Sequence, residues 1–145
     1  MEKEEVFAEI CRAVSEGSHE FEIVVGADSQ VRNKGTYFVI AVSLIRISQG
    51  GTFFYHQFKE RHLSSLRERI YMEAFHAVGL ACELREHLKE QGIVLPIRLH
   101  FDIGPNGPTN KFVQMLLKLA KANDFEAFIK PFSFGASTIA DKFTR

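Results

Sequence analysis

The chain has 145 residues, with 18 Lys+Arg against 18 Asp+Glu, so its formal charge is zero. That length predicts one domain, residues 1–145, with a core that needs no staples. A composition 46% hydrophobic and 25% charged excludes a mainly disordered chain, and zero net charge at first sight argues against nucleic acid as partner.

Residues 1–18 read as an appended N-terminal helix. Val6, Ile10 and Val14 recur at fours from Glu4 to Glu16, with Phe7 and Cys11 beside them. Glu2, Lys3, Glu4, Glu5, Glu9, Arg12 and Glu16 leave no apolar core for a signal peptide, and no apolar run in the chain reaches the roughly 18 residues of a membrane span. Phe21 to Ala27 reads as the first strand, ending at Gly26-Ala27-Asp28. Asn33-Lys34-Gly35 supplies turn chemistry before a β-branched and aromatic strand from Thr36 to Ile47. Gln49-Gly50-Gly51 turns into Thr52 to Phe58.

Leu63 to Gln91 then reads as a long helix closed by Gly92. Pro96 to Asp102 alternates as a fourth strand. Gly104 to Pro108 is a loop, and Thr109 is an N-cap candidate for a helix through Ala122. Phe125 to Pro131 is the fifth strand, and a short helix runs from about Ser137. After the appended helix the order is βββαβαβα. It predicts an α/β fold: a mixed five-stranded sheet, flanked by helices, with an antiparallel meander and two right-handed parallel crossovers. Cys11 and Cys82 form no metal or redox motif and are expected to be buried, which fits a reducing cytoplasm.

The acids are 14 Glu and four Asp. Asp28 and Asp102 end the first and fourth strands, and ligands collect outside the carboxyl ends of strands in open α/β sheets. Two carboxylates at neighbouring strand ends repel unless a cation lies between them. On the long helix, Leu63, Leu66, Ile70, Ala74, Ala77, Ala81, Leu84 and Leu88 define the apolar line. Glu68, Glu83, Glu86 and Glu90 lie opposite. Glu73 falls between, about 60° from the apolar centre at 100° per residue. Asp141 follows Ser137 by one turn in the terminal helix.

Three strands, a helix with an inward-edge Glu, a strand ending in Asp and a last helix carrying Asp: this pattern resembles the ribonuclease H-like superfamily from about Phe21 to Arg145. The segments Val25-Gly26-Ala27-Asp28-Ser29-Gln30, His100-Phe101-Asp102-Ile103-Gly104 and Ser137-Thr138-Ile139-Ala140-Asp141-Lys142 look most like the bacterial YkuK-type family. The resemblance implies a catalytic, metal-holding set of Asp28, Glu73, Asp102 and Asp141. It implies two Mg²⁺ or Mn²⁺ ions and phosphodiester hydrolysis on nucleic acid, because hard carboxylate oxygens suit those ions. Asp28 would bridge the ions, Glu73 and Asp102 would hold one, and Asp141 would help hold the ion that activates water. Ser29, Gln30, His100, Lys130, Ser137 and Lys142 lie beside this set and are expected to meet substrate.

One departure stands out. Many ribonucleases H carry a His before the last helix, whereas residues 131–136 here contain none. Cleavage of hybrid-type substrates is therefore not implied. A catalytically silent nucleic-acid-binding or adaptor domain is the alternative. Nucleotide handling of the actin-like type is disfavoured, since it needs two such domains. Self-association stays open, and no membrane partner is expected.

The zero net charge divides unevenly. Residues 1–27 carry seven acids and two bases, and the remainder carries 11 acids and 16 bases, a net of +5. Neutralising the four candidate acids raises that to +9. Neutrality of the whole chain is thus compatible with a nucleic-acid partner.

Overall fold

The structure, a computed structural model, describes residues 1–17, 20–32, 35–46, 50–60, 65–103 and 110–129. Its elements are α1 (Lys3–Glu16), β1 (Phe21–Arg32), β2 (Gly35–Arg46), β3 (Gly50–Glu60), α2 (Leu66–Glu90), β4 (Ile97–His100), a 3₁₀ turn at Asn110–Phe112, α3 (Val113–Ala122) and β5 (Glu126–Phe128). The five strands form one sheet in the order β3-β2-β1-β4-β5. β1, β2 and β3 pair antiparallel, while β4 joins β1 and β5 joins β4 in parallel. This is the expected mixed sheet.

One face of the sheet carries Ile23, Val25, Phe38, Ile40, Val42, Leu44, Phe54, Ile97 and Leu99, all buried. All three described helices pack on it. His76 of α2 lies 5.4 Å from the Phe38 ring, Phe7 of α1 lies 5.5 Å from His87 of α2, and Phe112 before α3 lies 5.8 Å from Tyr71 of α2. Among the described residues no helix covers the opposite face. The terminal helix expected from about Ser137, and the loop at 104–108 with Thr109, lie outside the described residues.

Several boundaries differ from expectation for identifiable reasons. β1 runs five residues past Ala27, because its pairing with β2 continues to Arg32↔Gly35. Polar residues there alternate within a strand: Ser29 is buried, while Asp28 and Gln30 are exposed. α2 begins at Leu66, since Ser65 caps it: the Ser65 hydroxyl accepts the Glu68 N–H at 3.1 Å. Leu66, expected on the apolar line, is 45% exposed at the first turn. Val78 and Leu80 instead join the buried set. Cys11 and Cys82 are half-buried rather than buried, and burial still pushes the Cys11 thiol up.

Gly92 closes α2 as expected, with φ +74°. The N–H of Gly92 reaches the Lys89 carbonyl at 3.0 Å and that of Ile93 reaches Leu88 at 2.9 Å, a Schellman motif. α3 ends the same way. Asp124 takes the left-handed position at φ 61°, and Phe125 N–H reaches the Ala120 carbonyl at 2.9 Å. Left-handed backbone disfavours a side chain there, whereas glycine tolerates it but loses more chain entropy on folding. Asp124→Gly is therefore expected to stabilise the protein by about 0.5 kcal/mol net, read as a higher urea midpoint at unchanged m-value.

Candidate functional site

β4 stops at His100, which pairs with Gly26. β1 continues, so Asp28 lies two residues beyond the end of its parallel neighbour. The two strands approach closely here: a Cβ on Gly26 would meet the His100 carbonyl oxygen at 3.2 Å. Past that point no described strand separates Asp28 from the chain leaving β4. A cleft of about 120 Å³ opens in the gap. Asp28, Glu73, His100 and Asp102 supply its polar lining, with Ala27, Leu66, Ile70, Ala74, Phe101, Ile103 and Leu116 completing the walls. Three of the four expected acids thus border one space. The fourth, Asp141, lies outside the described residues, as do Lys130, Ser137 and Lys142.

α2 delivers Glu73 at the rim of its buried face, between Ile70 and Ala74. The side chain is fixed by a three-residue network. The Ser29 hydroxyl donates to Glu73 Oε2 at 2.7 Å. That hydroxyl oxygen accepts from Arg69 Nε at 3.1 Å, and Arg69 Nη2 donates to the Ser29 carbonyl at 3.0 Å. Arg69 and Glu73 are one helical turn apart, so both reach Ser29 from the same face of α2. Ser29 is 5% exposed, and its neighbour Asp28 turns back to accept the Ser29 N–H at 2.8 Å.

Burial pushes the Glu73 carboxyl up from 4.5 to about 7. The Ser29 hydrogen bond and the Arg69 charge pull it down; the nearby Asp28 and Asp102 carboxylates push it up. Like charges therefore already repel at this cleft, and a cation between them would relieve the repulsion. In donor chemistry the set fits Mg²⁺ or Mn²⁺. In spacing it is open: among the described residues no three His, Cys, Asp or Glu side chains stand close enough to hold an ion.

Ser29→Ala removes one acceptor for Arg69 and the donor to Glu73. It is expected to cost about 1–2 kcal/mol, and to raise the Glu73 pKa further, as followed by carboxyl NMR titration. The roles of Ser29 and Arg69 are only partly visible in the sequence. Ser29 stands among the residues expected to meet substrate, yet its hydroxyl is already used between Arg69 and Glu73. Arg69 has the sequence context of a solvated helix charge. The available signal is its spacing, four residues before Glu73 on one helix face.

His100 is half-buried and lines the cleft, on the strand that leads into Asp102. Gln30 does not border this cleft; it lines a second cavity on the other face of the sheet, with Asp28 shared between the two. No described helix is long and apolar enough to cross a membrane.

Comparison with known proteins places the chain in a family. The model of the family described as Ribonuclease H-like matches residues 5–145. Uncharacterized protein YkuK of Bacillus subtilis (strain 168) is 31% identical, over 83% of this chain and 77% of its own length. A crystal structure of LC11-RNase H1 in complex with an RNA/DNA hybrid aligns at a TM-score of 0.40 and 13% identity, over 80% of this chain and 90% of that one. With its five-stranded mixed sheet and a family match over nearly its whole length, the chain belongs to the ribonuclease H-like family.

Proposed function

We propose that the chain is a divalent-metal-dependent phosphodiesterase acting on nucleic acid. The observation that carries this is that Asp28, Glu73 and Asp102, from β1, α2 and the segment after β4, line one cleft, with Glu73 pushed up to about 7. These carboxylates would hold Mg²⁺ or Mn²⁺, two ions in all, with Asp141 as the fourth ligand. Bound ions of this kind supply a water of lowered pKa and neutralise charge at the leaving oxygen. The chain's own residues do the rest. Arg69 and Ser29 hold Glu73 in place, and His100 borders the reacting space. Gln30, Lys130, Ser137 and Lys142 are assigned to substrate contact. The net charge of +5 beyond residue 27 supports a polyanionic substrate.

The test is cleavage of labelled single-stranded RNA, single-stranded DNA, both duplexes and the hybrid, with Mg²⁺, Mn²⁺ or EDTA. Cleavage that requires the metal and stops in EDTA is the expected result. Absence of cleavage on every substrate with either metal would sink the proposal.

A second reading, a nucleic-acid-binding domain without turnover, is favoured by one observation: the described acids do not close into an ion-sized ligand set. Its signature is salt-dependent binding that is indifferent to Asp141→Asn.

A further inference from the structure

The face of the sheet opposite the helices carries an ordered group of side chains beside Asp28. The strand registers pair Asp28 with Val39 and Val39 with Gln57, forming one row across β1, β2 and β3. They pair Gln30 with Tyr37 and Tyr37 with Lys59, forming the next row on the same face. A cavity of about 240 Å³ lies beside this group, lined by Asp28, Gln30, Tyr37, Val39 and Gln57 together with Ser29, Phe38 and Phe58 of the alternate row. The Lys59 ammonium stands 5.7 Å from the Tyr37 ring centroid. Asp28 lines the acid cleft as well, so the two cavities share this residue.

The dimensions follow from sheet geometry. Three strands span about 10 Å across, and two rows on one face lie about 7 Å apart along the strand. That is a platform for one planar ring, not for a helix. Its chemistry narrows the occupant further. The Gln57 amide offers donors and an acceptor together. Tyr37 offers an aromatic body with a polar tip. Lys59 offers a flexible cation. A lone phosphate has no use for the ring or the amide acceptor. An added peptide strand would need a sheet edge rather than a face. A nucleobase uses all of these features: stacking on the ring, edge recognition by the Gln57 amide, and a cation for its phosphate.

We infer that this platform is a base-binding subsite, which holds one unpaired nucleotide next to the phosphate that lies at Asp28. The placement of that phosphate rests on the phosphodiesterase reading; the binding of the base does not. Stacking and amide readout need a base drawn out of a duplex, so the subsite selects single-stranded segments. Tyr37, Gln57 and Lys59 are thereby specificity residues, and none of them lines the acid cleft.

The test is fluorescence anisotropy of the full chain in EDTA, with labelled single-stranded octamers of RNA and DNA. A matched series carries one abasic position moved along the octamer. At one position, loss of the base is expected to weaken binding about tenfold, the scale of one base–aromatic stack. Tyr37→Ala should weaken the intact octamer by the same factor and leave that abasic octamer unchanged. Tyr37→Phe should retain discrimination. Gln57→Ala should narrow the differences among bases, and serves as the second variant should Tyr37→Ala fail to fold. Equal binding of intact and abasic octamers by the wild type, or no binding of either, would overturn the subsite. So would equal loss for both in Tyr37→Ala. Discrimination that persists in a protein with no metal-dependent cleavage would keep the subsite and remove the phosphodiesterase reading.

Discussion

Asp28→Asn is expected to reduce metal-dependent cleavage by roughly a hundredfold while leaving the fold intact. The structural side is simple. Asp28 is exposed, and its carboxylate accepts the Ser29 N–H, which an asparagine oxygen also accepts. A change at such a surface position falls within about 0.5 kcal/mol. The functional side is larger. Asp28 is a residue common to both cavities and lines the acid cleft together with Asp102. Metal-held charge at a phosphoryl centre contributes several kcal/mol, and about 3 kcal/mol corresponds to roughly a hundredfold in rate. The readout is cleavage rate against urea midpoint for the two proteins. Retained activity with an unchanged midpoint would exclude Asp28 from the site.

Glu73→Gln is expected to make the metal-free protein more stable at pH 8. The sign follows from the shifted carboxyl. Glu73 titrates at about 7 in the folded protein, against 4.5 for the ordinary group. Between those values the folded state keeps a proton that the unfolded state has lost. Stability is therefore fully present below pH 4.5, falls as pH rises, and levels off above about 7. At about 1.4 kcal/mol per pH unit, the loss amounts to roughly 3 kcal/mol. Glutamine at this position has no charge to bury, and its amide oxygen still accepts the Ser29 hydroxyl. Urea unfolding in EDTA at pH 5 and pH 8 should show a falling midpoint for the wild type and a flat one for the variant. Mg²⁺ should then restore the wild type at pH 8 by binding the folded state alone. It should leave the variant unchanged. A wild-type midpoint that does not fall between pH 5 and pH 8 would contradict the burial of an ionised Glu73.

The features of this molecule that depend on local chemistry are legible in the amino-acid sequence. The succession of strands and helices along the chain follows from hydrophobic alternation and turn residues, and Gly92 marks the end of α2. Asp28, Glu73 and Asp102 stand out because each breaks an otherwise apolar pattern. The features that depend on tertiary partners are hidden there. β1 passes through Asp28 because β2 continues to pair with it, which polarity alone does not show. Ser29 is buried by α2 and held between Arg69 and Glu73, yet in sequence it is one polar residue in a polar stretch. Leu66 fits the apolar stripe of α2 but sits at its first turn, where packing has not begun. Asp124, one of only four aspartates, serves a helix end rather than the site.

The proposed function requires Asp28, Glu73 and Asp102 to hold a cation. Residue-resolved NMR with substoichiometric Mn²⁺ tests it most directly, because the paramagnetic ion broadens only signals near where it binds. Broadening centred on Asp28, Ser29, Glu73 and residues 100–103 is the expected result, with the same signals retained in Asp28→Asn. Broadening centred instead on the acidic helix α1, around Glu4, Glu5 and Glu9, or no localised broadening at all, would contradict the account.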